Sequence, residues 1–172
     1  MIELVPTSIK YAEVWQKWRM EEDSLRYNPI METTLENLRE RMSAMSSDLS
    51  DLKAAQEFQF FVRQGDNLVA SLTLKSINHM MMYGEIGYGV GESFQGKGIG
   101  TKAVITFVYK IFSETQLRRL FAFVAEDNVP SCKLLERVGF TREGFCREHY
   151  IVNGKPTNEV LYGMLRKDWQ RG

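Results

Sequence analysis

Cysteine is scarce: Cys132 and Cys146 are the only two in 172 residues, and their spacing fits neither C-x-x-C nor a zinc pattern. That argues against a disulfide framework and a structural metal site, so no metal is expected and a reducing, cytoplasmic setting is the default. An excess of one charge is also missing, since Lys plus Arg and Asp plus Glu stand at 22 each. A nucleic-acid binder driven by a whole-domain basic field is thereby disfavoured, while a local basic patch stays open. No apolar run approaches the roughly 18 residues of a membrane span; even Phe121 to Ala125 is short. The opening Met1-Ile2-Glu3-Leu4-Val5-Pro6 lacks the basic and apolar regions of a signal peptide. A soluble protein with neither nucleic acid nor membrane as partner is expected.

What is present suits one folded domain over residues 1–172: 44% hydrophobic and 26% charged residues give a globular composition. Ile2 to Val5 reads as a strand ended by Pro6, with Thr7-Ser8 as hydroxyl caps for a helix carrying Ile9, Ala12, Trp15 and Trp18 on one side. Thr33-x-x-Glu36 has capping-box spacing, and Leu35, Leu38, Met42, Met45, Leu49 and Leu52 then recur at helical intervals. From Phe58 the period becomes two, turning at Gly65-Asp66-Asn67 and Asn78-His79, so residues 56–90 read as an antiparallel meander. Helical spacing returns over Thr101–Phe112, followed by a strand at Arg118–Ala125 and a short helix after Pro130 that Gly139 ends. Two last strands flank Asn153-Gly154, a strong hairpin dipeptide. The order implies an α/β (α+β) fold: a mixed, mostly antiparallel central sheet of about seven strands with helices on both faces.

The informative segment is Val90-Gly91-Glu92-Ser93-Phe94-Gln95-Gly96-Lys97-Gly98-Ile99-Gly100-Thr101, which leaves a strand and enters a helix. Glycines let backbone approach a ligand closely, and the first amides of a helix, unpaired and at its positive end, bind anions. Phosphate is the natural guest. Gly91-x-x-x-x-Gly96-Lys97 imitates a Walker A loop, but Gly98 stands where Ser or Thr must hold Mg²⁺. Gly98-x-Gly100-x-x-Ala103 imitates a dinucleotide fingerprint, yet no run of further strand-helix units follows.

A third reading fits the whole chain. Gln95-x-x-Gly98-x-Gly100 resembles the acyl-CoA loop of the GCN5-related N-acetyltransferases (GNAT). Glu85-Ile86-Gly87-Tyr88 resembles the strand before that loop, and Asn128-x-x-Ser131 with Leu134, Gly139 and Phe140 resembles the family's next segment. Glu143-Gly144 and Asn153-Gly154 resemble the branch containing the ribosomal-protein alanine N-acetyltransferases and spermidine acetyltransferases. The resemblance implies acetyl-CoA as cosubstrate, its pantetheine arm lying between splayed fourth and fifth strands at Tyr88, Gly89 and Val90. Its pyrophosphate would meet Gln95, Gly96, Lys97, Gly98, Ile99, Gly100 and Thr101, with Lys102, Lys133 and Arg137 supplying charge and Asn128 bonding the pantetheine.

The implied reaction is direct attack of a primary amine on a thioester, the amine belonging to a protein N-terminus, a polyamine or another small molecule. An α-amine, with a pKa of about 7.7 to 8, demands less base strength than a lysine-type amine at about 10.4. Glu85 is the first candidate base; Leu135 stands where many relatives carry a tyrosine donor, and the resemblance to the ribosomal-protein branch implies Ser131 as the acid instead. Glu148 is the fallback base. His79 and His149 lack spaced metal partners. A homodimer is the partner state that the relatives suggest. The rival reading is a catalytically inactive acyl-CoA-binding module.

Overall fold

The computed structural model describes residues 1–28 and 34–169. Its frame is a seven-stranded sheet in the order β1-β2-β3-β4-β5-β7-β6. The strands are β1 (Glu3–Pro6), β2 (Phe58–Gln64), β3 (Asn67–Asn78), β4 (Tyr83–Val90), β5 (Arg119–Ala125), β6 (Thr141–Val152) and β7 (Lys155–Leu165). All neighbours pair antiparallel except β4 and β5, whose parallel pairing follows from the helical crossover between them. The helices are α1 (Ala12–Arg19), α2 (Glu22–Tyr27), α3 (Leu35–Ser43), α4 (Ile99–Glu114), α5 (Val129–Val138) and α6 (Arg166–Trp169). None of them is long and apolar enough to cross a membrane.

Period-two strands with both faces covered produce two apolar layers. Phe60 of β2 turns to Phe107 of α4, ring centroids 5.7 Å apart, within the larger core under α4 and α5. Its neighbour Phe61 turns the other way and meets Trp18 at 6.2 Å, in the cluster of Val5, Ala12, Trp15, Leu38 and Met42 under α1 and α3. The mixed sheet with helices on both faces is therefore as the sequence implies. At the hairpin, Asn153 (φ 50°) and Gly154 (φ 75°) take the left-handed conformations a tight two-residue turn requires.

Three local expectations change. Ser8 makes no side-chain cap, and Thr7 Oγ1 instead donates to Gln59 Oε1 at 2.7 Å. The third helix is capped by Thr34, whose hydroxyl accepts from Asn37 N–H at 3.2 Å; Thr33 lies outside the described residues. That helix ends at Ser43, so Leu49, although 1% exposed, reaches the core from a loop rather than from a helical stripe.

Candidate active site

The sheet opens where its one parallel pair stops. β4 and β5 pair at Tyr83↔Arg119, Gly84↔Leu120 and Glu85↔Phe121, and no further. Beyond Glu85 the facing edges of both strands are free of each other, leaving amides and carbonyls that need partners. Continuing that register sets Gly87 opposite Phe123 across the opening. A cavity of about 900 Å³ runs through it, lined by Gly87 to Val90 on one side and by Asn128, Ser131, Lys133, Leu134 and Arg137 near α5 on the other.

At one end lies the glycine-rich loop, with Gln95, Gly96, Gly98, Ile99, Gly100 and Thr101 all on the cavity wall. Gly98 adopts φ 73° as the N-cap of α4, and no side chain caps that helix, so its first amides face outward. A Cβ built on Gly98 would meet nothing within 4 Å, which leaves room for a ligand against the backbone. Gln95 Nε2 donates to the Val90 carbonyl at 3.1 Å and closes the loop on the strand that feeds it. These features fit a pyrophosphate: a tight backbone turn, open amides at a positive helix end, and cationic Lys133 and Arg137 nearby.

At the middle of the opening, Tyr88 Oη and Ser131 Oγ lie 2.6 Å apart. Burial pushes the Tyr88 phenol well above its ordinary range, partly offset by the bond to Ser131, so the pair is protonated at neutral pH. Asn128 accepts from Ser131 N–H at 3.2 Å and so fixes the start of α5. Asn128, not Ser131, is therefore that helix's cap.

On the other face of the sheet, Trp15, Trp18, Arg19, Arg41, Ser71, Thr73 and Lys75 line the same cavity. The guanidinium carbons of Arg19 and Arg41 lie 5.4 and 5.6 Å from the Trp15 ring. α2 bridges this side: Glu92 N–H donates to Glu21 Oε2 at 2.9 Å, and Asn153 Nδ2 donates to the Leu25 carbonyl at 3.1 Å. Asp23, Ser24 and Tyr27 of α2 thereby wall the cavity between the glycine loop and the β6–β7 turn.

Residues 2–141 match the family described as the acetyltransferase (GNAT) domain. The chain belongs to the GNAT acetyltransferase family. It is 29% identical over 128 residues to p20, an uncharacterised N-acetyltransferase of Bacillus licheniformis, spanning 74% of this chain and 72% of that one. It is also 29% identical over 87 residues to the ribosomal protein uS5-alanine N-acetyltransferase of Escherichia coli, a match covering 51% of this chain and 45% of that enzyme. Among solved structures, Mycobacterium smegmatis RimJ in complex with CoA-disulfide superposes with a TM-score of 0.84 at 22% identity, covering 99% of this chain and 87% of that one. The protein is accordingly a GNAT acyltransferase of the N-acetyltransferase type.

In this GNAT chain, twelve of the thirteen coenzyme-binding residues singled out from sequence line the one cavity: Tyr88, Gly89, Val90, Gln95, Gly96, Gly98, Ile99, Gly100, Thr101, Asn128, Ser131 and Lys133. Lys97, the thirteenth, and the candidate base Glu85 do not. The Lys97 ammonium folds back onto the Ser93 carbonyl at 2.8 Å, and Lys97 and Lys102 border a separate depression beside Met1, Ile2 and Gln64. Glu85 sits at the closed end of the opening, paired with Lys75 at 3.4 Å and accepting from Ser76 Oγ at 2.9 Å. Leu135, at the position of the usual tyrosine donor, is 0% exposed and packs in the main core. Sequence reasoning placed Tyr88 only at the coenzyme arm and missed its bond to Ser131, which spans 43 residues. Among the described residues no cluster of three His, Cys, Asp or Glu is placed to hold a metal ion.

Proposed function

We propose that this protein transfers the acetyl group of acetyl-CoA to a primary amine, with the coenzyme arm in the opening between β4 and β5. The observation that carries the reading is one continuous cavity joining the glycine loop, the parted strands and the Tyr88–Ser131 pair. Acetyl-CoA supplies the thioester. The free edge of Gly87 to Val90 hydrogen-bonds the amide-rich arm as an added strand would, and Asn128 offers its carboxamide to the same arm. The amides of Gly98 to Thr101 hold the pyrophosphate, helped by Lys133 and Arg137.

Ser131 delivers the proton to the departing sulfur, and Tyr88, held protonated by burial, supports that hydroxyl from behind. This pair replaces the tyrosine donor absent at Leu135 and favours an enzyme over an inert coenzyme-binding module. Glu85 we assign to holding Lys75 and Ser76 rather than to proton abstraction. The acceptor enters from the face of Trp15, Trp18 and α2. With Arg19, Arg41 and Lys75 on that wall beside Glu21 and Asp23, a protein N-terminal α-amine or small amine suits it better than a polycation such as a polyamine. Such a reaction belongs in the cytoplasm, where acetyl-CoA and ribosomal proteins meet.

Release of free thiol from acetyl-CoA tests this directly, using a panel of N-terminal peptides, polyamines, aminoglycosides and amino acids. Turnover with at least one amine is expected. Tight coenzyme binding without turnover on any amine would instead leave a binding module.

A further inference from the structure

The acceptor face carries a pair that the assignment above leaves unused. His149 Nδ1 of β6 lies 2.6 Å from Glu159 Oε2 of β7, and the imidazole packs on Phe123 of β5 with ring centroids 4.6 Å apart. The carboxylate side chain is 10% exposed and the imidazole 43%. We propose, resting on the acetyl-transfer reading, that His149 oriented by Glu159 is the base that takes the proton from the acceptor ammonium.

The backbone is built to place this ring. Between Cys146↔Glu159 and Tyr150↔Thr157, β6 advances four residues while β7 advances two, so β6 bulges. Bulges re-aim side chains. Glu148, at φ 48°, donates its N–H to Asn158 Oδ1 at 2.9 Å, and Asn158 Nδ2 donates to Glu126 Oε2 at 3.0 Å. The pinned bulge brings His149 over Phe123 and sends the next residue, Tyr150, to the cavity wall. Phe123 in turn falls opposite Gly87 when the β4–β5 register is continued past its last pair, and Thr73 Oγ1 fills the space beside that glycine. The imidazole is thus one ring stack from the point where the strands part.

The chemistry follows from the hydrogen bond. A carboxylate accepts from Nδ1–H, which leaves the lone pair on Nε2, and no group among the described residues bonds Nε2. Glu159 is the titratable group that faces the ring from β7; β5 presents the uncharged Phe123, Arg147 and Glu148 flank it on β6, and Glu126 acts on the bulge through Asn158. The ammonium gives one proton to Nε2, and the freed lone pair forms the C–N bond as the C–S bond breaks. The nitrogen's second proton balances the one that sulfur receives through Ser131, and His149 returns its own to solvent. Glu85, by contrast, is already committed to Lys75 and Ser76.

The test compares two acceptors, an ordinary α-amine and a weakly basic amine such as a hydrazide that is neutral at the assay pH. His149→Ala should lower kcat for the α-amine at pH 7 by roughly 10² to 10⁴-fold, the range for one acid-base partner. The deficit should shrink to within a few fold for the hydrazide, and added imidazole should restore part of the α-amine rate. Glu159→Gln should show a smaller loss with the same dependence on the amine. Acetyl-CoA binding by calorimetry should stay unchanged in both. If His149→Ala disrupts the bulge, His149→Gln keeps a donor for Glu159 and carries the same comparison. Equal losses with both amines and no rescue by imidazole would make the pair structural and overturn the proposal, as would a near-normal rate at pH 6.5. An unsubstituted protein that releases no thiol with any amine would instead overturn the acetyl-transfer reading itself.

Discussion

Tyr88 of β4 and Ser131 of α5 share a hydrogen bond of 2.6 Å that joins the two walls of the opening between β4 and β5. The bond ties the proposed proton donor to a buried phenol, and the two residues should act as a unit. Ser131→Ala should lower turnover by roughly 10² to 10⁴-fold with acetyl-CoA affinity nearly unchanged. Tyr88→Phe, which keeps the packing and removes the hydroxyl, should cost less, and the double variant should be no worse than Ser131→Ala alone. Steady-state rates for the three variants decide it; additive losses would mean that the two hydroxyls work independently.

The glycine cradle makes a binding prediction. At 100 times its dissociation constant, acetyl-CoA should stabilise the fold by about 2.7 kcal/mol, read as a rise in melting temperature that NAD and ATP do not produce. Gly98→Asp should abolish that rise, because Gly98 sits at φ 73° with open space where a Cβ would point. The new side chain would fill the cradle and set a negative charge beside the helix amides. A variant that melts normally yet binds CoA as before would remove the loop from the site.

Glu85 should prove structural. Its carboxylate holds Lys75 and the Ser76 hydroxyl, and Ser76 sits at φ 50° where β3 slips against β4. Glu85→Gln should therefore destabilise the fold modestly, by about 1 kcal/mol or less for a partly exposed pair, read as a small drop in melting temperature. Turnover between pH 6 and 9.5 should stay close to normal. A selective loss at the low end of that range, rescued as pH rises, would return Glu85 to the role of base.

The parts legible in the sequence are those set by local chemistry. Asn153-Gly154 demands its turn, alternation over Phe58 to Val62 demands strands, and Gly98 before a helix allows the left-handed N-cap that leaves the first amides without a side-chain cap. Where neighbours decide, the sequence misleads. The spacing from Leu35 to Leu52 continues at helical intervals past Ser43, yet Leu49 packs from a loop because burial, not periodicity, selects it. Tyr88–Ser131 and His149–Glu159 are not local: one spans a helix and a strand, and the other needs a bulge that shifts the β6–β7 register. Lys97 reads as a phosphate ligand because its type and place suit one, whereas the Ser93 carbonyl lies closer to hand.

The strand next to the site is anchored by a pair whose pH dependence has a defined sign. Arg119 Nη1 of β5 donates to Glu143 Oε1 of β6 at 2.8 Å, and a second guanidinium nitrogen meets the other carboxylate oxygen. Gly163 of β7, lying between them in the sheet, leaves the room that this carboxylate occupies. The hydrogen bonds from Arg119 hold the Glu143 carboxyl below its ordinary range, against the opposing effect of burial. A carboxyl whose folded value is depressed stabilises the fold at pH above its ordinary value and loses that contribution as pH falls through the folded one. Glu143→Gln should thus destabilise at pH 7, by about 1 kcal/mol at most for a partly exposed pair, and the difference from the unsubstituted protein should shrink as pH falls through the depressed folded value. Gly163→Ala should reproduce the loss at pH 7 by displacing Glu143, and it should add a packing cost that persists in acid. Chemical denaturation of the three proteins across pH 2.5 to 7 separates these outcomes; a Glu143→Gln deficit that stays constant with pH would show that the carboxylate contributes through packing and not through its charge.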